Sequence, residues 1–176
     1  MLARNVENLM RTYGSYYPFT LLPEHPKETL LVGNFEASIP VTHVPTPSMQ
    51  FSFSVQKDFV PALKKYGFSH LGLANNHSYD FGSSNFKNSY TVLEDAQMVP
   101  FGDAHNQASS TIETVVVGSS TVALIGLYAV HEIPSQTEIT TLLKRASRDT
   151  EIQIVYVHWG EEYIQTHNKQ QENLAH

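Results

Sequence analysis

The chain has 176 residues, 41% of them apolar and 16% charged, which suffices for a full hydrophobic core and is too apolar for disorder. Its net charge of −6 argues against nucleic-acid binding, and the absence of cysteine excludes disulfides and thiolate metal sites. The one local group of cations (Lys144, Arg145, Arg148) has Asp149 and Glu151 beside it, as a solvated helix face would.

Val6, Leu9, Met10 and Tyr13 recur at helical spacing, so a short amphipathic helix is expected over residues 3–13, stopping at Gly14. Residues 29–35 read as a buried strand followed by the polar Glu36. Three prolines between Ile39 and Pro47 predict an extended loop. Residues 56–66 carry Phe59, Ala62 and Leu63 on one helical face, with Gly67 as the stop. The apolar run 68–73 predicts a strand with His70 packed inside it, and Phe86, Tyr90 and Leu93 place a helix at about 84–96. Strands at 111–117 and 121–127 flank Gly118-Ser119-Ser120, a hairpin signal; a helix at 136–148 and a strand at 151–157 follow. No run reaches the length of a membrane span. Helices alternating with apolar strands imply an α/β fold with mostly parallel strands, whose polar ends lie along one edge.

Three strand ends carry chemistry: Asn34 and Glu36, then Asn75-Asn76-His77 with Asp80, then His158. A divalent hydrolytic centre takes oxygen and imidazole ligands from several strand ends and keeps positions open for water and substrate. Glu36 can ligate through its carboxylate, Asn76 through its amide oxygen and His158 through a ring nitrogen. His77 suits a place beside the metal, giving a proton to a leaving group, with Asp80 orienting its ring. Such mixed ligands fit Mn, Fe or Zn and do not choose among them. Plainer readings stand beside these. Asn75 and Asn76 can be turn residues, Asp80 a turn cap, and His158 a hydrogen-bonded strand residue.

Gly33-Asn34-Phe35-Glu36, Phe51-Ser52-Phe53, the run from Ala74 to Gly82, Pro100-Phe101-Gly102 and His158-Trp159-Gly160-Glu161-Glu162-Tyr163, taken in this order, resemble the CapA family. These are bacterial poly-γ-glutamate capsule-biosynthesis proteins, similar in fold to calcineurin-like metallophosphoesterases. The resemblance implies one domain over 1–176 belonging to a four-layer α/β/β/α sandwich. It also implies Glu36, Asn76 and His158 as metal ligands and His77 as the leaving-group histidine; Asp80 is read beside His77 as the second catalytic residue, and Arg4, Asn34 and Asn75 as substrate contacts. Its implied partners are an anionic cell-surface polymer or precursor and other capsule-synthesis proteins, and its implied setting is the cell envelope, with a membrane anchor expected only of a longer form.

Family members carry a strand and a Gly-Asp pair before a segment like Met1–Arg4, and a Gly-His-x-Pro-His element beyond one like Gln170–His176. A fragment lacking its first strand and C-terminal portion is therefore expected, with its metal ions incompletely bound. The alternatives to a hydrolase are a non-catalytic polymer-binding or assembly scaffold and an inactive remnant.

Overall fold

The computed structural model describes residues 2–26, 28–46, 51–105 and 112–176. Met1 and Pro47, named above, and Thr111, the first residue of the strand expected at 111–117, lie outside the described residues. The chain divides into two compact units, Met1–Pro100 and Phe101–His176. Among the described residues there are two three-stranded sheets, each accompanied by helices, an α/β arrangement as the sequence predicts.

In the first unit, helix α1 spans Asn5–Tyr13, two residues shorter at its start than the periodicity suggests. Arg4, directly before it, has φ 58° and ψ −128°, a backbone conformation that no helix accepts. Strand β1 (Leu31–Asn34) runs parallel to β2 (Phe68–Gly72), pairing Val32 with His70 and Asn34 with Gly72. Strand β3 (Val99–Phe101) completes the order β1-β2-β3. Gly33 permits the close approach, because a Cβ there would lie 2.7 Å from the ring of Phe68. The helix expected at 56–66 begins instead as a 3-10 turn, Lys57–Phe59, and becomes α2 at Val60–Tyr66. Pro61, near the start of α2, lacks an N–H that the first helical turn would leave unpaired anyway. Helix α3 covers Gly82–Asp95. Met10, Phe35, Ile39, Phe53, Val55, Leu63, Leu71, Leu73, Phe86 and Leu93 form one buried cluster, which joins all three helices to the sheet.

The second unit contains β4 (Ile112–Val117), β5 (Ser120–Ala129), α4 (Gln136–Ala146), β6 (Ile152–Trp159) and α5 (Lys169–Ala175). β4 and β5 form the expected antiparallel hairpin through Gly118, whose φ of 63° suits the tight turn. β5 and β6 pair in parallel along eight residue pairs, from Val122↔Ile152 to Ala129↔Trp159. β6 thus extends two residues past the expected end and takes in His158. Ala123, Ile125 and Leu127 pack against Leu142 and Ala146 of α4 as a separate small cluster. Ser135 caps α4: its hydroxyl accepts from the Glu138 N–H, while the Glu138 carboxylate accepts from the Ser135 backbone.

Candidate functional site

Because β1 and β2 are parallel neighbours, the residues that follow them leave the sheet at the same edge, where α/β proteins build ligand crevices. Asn34 ends β1, and its amide nitrogen donates to Glu36 Oε2 at 3.1 Å. Asn75, beyond β2, donates from Nδ2 to Asn34 Oδ1 and to the Phe35 carbonyl, both at 3.0 Å. Its Oδ1 accepts the His77 backbone N–H at 3.1 Å, and its carbonyl accepts the Ser78 hydroxyl at 2.9 Å. Asn75 is 0% exposed, so its amide joins the two strand ends from inside the protein. Asn76, the next residue, is partly exposed.

His77 and Asp80 occupy the turn between β2 and α3. Nδ1 of His77 lies 2.9 Å from Asp80 Oδ2, and both side chains are largely buried. A carboxylate only accepts, so this contact places a proton on Nδ1 and leaves Nε2 as the nitrogen that can take up or release one. Asp80 Oδ2 also accepts the Phe53 backbone N–H at 2.6 Å. The Phe53 ring lies 4.2 Å, centroid to centroid, from the His77 imidazole and 6.0 Å from the guanidinium carbon of Arg4. The turn is secured from behind by Ser38, whose hydroxyl reaches the carbonyls of His77 at 3.1 Å and Ser78 at 2.8 Å.

The structure therefore joins Asn34, Glu36, Asn75, His77 and Asp80 into one network, with Arg4 against the Phe53 ring. His158 is carried by the second sheet, opposite Tyr128 in the β5–β6 register. Its ring stacks on the Tyr128 ring at 6.4 Å. Burial pushes the Tyr128 phenol above its ordinary pKa of 10.0, opposed by a hydrogen bond with the His131 backbone and reinforced by Glu132. The expected shared edge thus holds for β1 and β2, which adjoin in one sheet, while the strand of His158 belongs to the other.

Sequence reasoning assigned no role to Phe53 or Ser38. The signal was present in Phe51-Ser52-Phe53-Ser54, whose apolar–polar alternation marks a half-buried extended segment. That segment forms an isolated parallel bridge, Ser38↔Ser54.

Among the described residues, no group of three or more His, Cys, Asp or Glu side chains could hold the implied divalent ion. The first unit offers the Glu36 carboxylate, the Asn76 amide and Nε2 of His77. This set does not make up a self-sufficient transition-metal centre.

The family described as Bacterial capsule synthesis protein PGA_cap matches residues 1–176. "Capsule biosynthesis protein CapA" of Bacillus anthracis is 26% identical over 197 residues, an alignment that covers 99% of this chain and 48% of that protein. "PGA biosynthesis protein CapA" of Bacillus subtilis (strain 168) is 26% identical over 194 residues, covering 99% of this chain and 50% of that one. The chain thus spans about half the length of the curated relatives it matches. Among solved structures, a Staphylococcus aureus chain matches at TM-score 0.45 and 18% identity, covering 60% of this chain and 24% of its own. A hypothetical protein from Thermus thermophilus matches at TM-score 0.44 and 16% identity, covering 61% and 41%. These two likenesses are too loose to carry an argument.

Proposed function

Since this chain belongs to the PGA_cap family of bacterial capsule synthesis proteins, we propose that it is a metal-dependent, hydrolase-type domain acting in the synthesis of poly-γ-glutamate capsule or a related anionic cell-surface polymer. The observation that carries the reading is the His77–Asp80 contact of 2.9 Å in a turn that follows a parallel strand. Asp80 holds the imidazole by Nδ1, and Nε2 delivers a proton to the leaving group of a phosphoryl or amide substrate. Arg4 and Asn34 contact the anionic substrate, and Asn75 serves the same contact by fixing the Asn34 amide.

Glu36, Asn76 and His158 are proposed metal-binding residues (for Mn, Fe or Zn), each assigned singly and on the family pattern alone. The described residues form no complete ligand set, so the role of His77 is drawn from its own contacts alone. The metallophosphoesterase-type α/β/β/α architecture is proposed for the family domain as a whole, with 1–176 within it. The cell envelope is the proposed setting, with other capsule-synthesis proteins as partners. No helix among the described residues is long and apolar enough to cross a membrane.

A second reading, a non-catalytic polymer-binding or assembly scaffold, is favoured by the inward use of the polar groups. The Asn34 amide is tied to Glu36, and Asn75 is fully enclosed. An assay with added manganese on an activated phosphodiester and on poly-γ-glutamate separates the two. Turnover that falls by about 10²–10⁴-fold in His77→Ala supports the hydrolase. Turnover unchanged in that variant removes His77 from the mechanism. Saturable polymer binding without any turnover establishes the scaffold in its place.

A further inference from the structure

We infer that Phe53 is a positioning residue for the His77–Asp80 pair, holding the imidazole in the orientation that turns Nδ1 to Asp80 and keeps Nε2 as the proton-carrying nitrogen. The inference rests on the reading of His77 as the proton-carrying group.

Phe53 reaches the pair in two independent ways. Its backbone N–H donates to Asp80 Oδ2 at 2.6 Å, the same oxygen that faces His77 Nδ1 at 2.9 Å. Two donors fix one carboxylate oxygen more narrowly than one, and the imidazole is aligned against an acceptor that cannot swing. Its ring also meets the imidazole with centroids 4.2 Å apart and planes tilted by 53°. A ring at that distance closes off rotation about the outer bonds of His77 and keeps water from the Nδ1–H···O contact.

Phe53 is itself held. Its carbonyl accepts the Ser38 N–H at 2.9 Å, and the Ser38 carbonyl accepts the Val55 N–H at 2.9 Å. Ser38 also ties the backbone of the His77 turn through its hydroxyl, so one buried residue sets ring and imidazole against a common frame. Ser54, next in the chain, is pinned by His43 Nδ1 at 2.6 Å, and His43 Nε2 lies 2.8 Å from the buried Glu7 of α1. The segment carrying Phe53 is thereby braced from two sides. A site built to be precise needs such support around the groups that react.

An ordinary core phenylalanine would contribute stability alone. The two roles part in the behaviour of the imidazole, read by ¹⁵N and ¹H NMR of His77 in the whole chain at fixed pH. Phe53→Leu leaves the backbone N–H and an apolar side chain but removes the ring. The expected result is loss of the slowly exchanging, downfield Nδ1–H signal and a ring-nitrogen pattern shifted toward mixed tautomers. Phe53→Tyr should restore both. Phe53→Met, whose unbranched chain adapts to the vacated space, serves if the leucine variant does not fold, with the same loss expected. A His77 spectrum in Phe53→Leu or Phe53→Met that matches the parent overturns the inference. Lack of turnover in the parent defeats the hydrolase reading and leaves this spectroscopic result standing, so the two failures can be told apart.

Discussion

Asp80 accepts from two groups that sit 3 and 27 residues away in the chain, the His77 ring and the Phe53 amide. Asp80→Ala leaves both donors partly buried without an acceptor. That should cost about 1–3 kcal/mol of stability, checked by urea unfolding followed by circular dichroism. Asp80→Asn keeps one acceptor oxygen and should cost clearly less; equal loss in the two variants would contradict the hydrogen-bond account. The local members of this site were legible in the sequence, because Asn75, Asn76, His77 and Asp80 lie within six positions of one another. Phe53 and Ser38 were not, since they reach the turn from 27 and 39 residues away, Phe53 through a backbone N–H that nearly every residue type possesses and Ser38 through a hydroxyl with no local motif around it. Arg4 was legible as a cation but not as a strained one. Its φ of 58° with ψ of −128° falls where only glycine rests easily, a kind of conformation that concentrates near functional sites.

The elements were read most reliably where a single residue punctuates them. Gly67 ends α2 with φ 124°, and a Cβ there would collide with the His25 imidazole, which itself contacts the Tyr66 carbonyl at 2.7 Å. Gly67→Ala therefore combines backbone strain with a steric clash, and a loss of about 1–3 kcal/mol is expected in equilibrium unfolding. A loss within error of zero would mean that His25 moves aside and the turn relaxes. Gly118 likewise announced the hairpin. Ends fixed by distant partners were misplaced. β6 continues through His158 and Trp159 because Tyr128 and Ala129 offer them a ladder, a register that local composition does not contain. The start of α1 was misjudged for a related reason, since nothing in the periodicity of Val6, Leu9, Met10 and Tyr13 reports the backbone of Arg4.

For the molecule as a whole, composition and alternation gave the α/β class, and topology took the remainder out of reach. Sheet membership depends on which strands meet, and β1 and β2 belong to one sheet while β6 belongs to the other. Acid sensitivity also belongs to this scale. Burial, with Lys64 adding to it, holds His70 below the ordinary 6.5. The folded state therefore takes up fewer protons than the unfolded chain, and stability present above pH 6.5 is lost as the pH falls through the folded value. Glu138, lowered by hydrogen bonds from Ser135, and Glu172, lowered by those from Lys169 and His167, act in the same direction below 4.5. Burial raises Glu113, whose contribution runs the other way, present below 4.5 and lost as pH rises. Melting temperatures should fall between about pH 7.5 and about pH 5.5, and His70→Gln should flatten that fall. An unchanged slope would assign the sensitivity elsewhere.

The separate apolar clusters of the two units have a practical corollary. The chain's single tryptophan, Trp159, sits at the end of β6 in the second unit, so indole emission reports first on that half. A fluorescence melt can look intact while the turn around His77 has already come apart. Fluorine-labelled phenylalanine at position 53 would place an observer where the chemistry is.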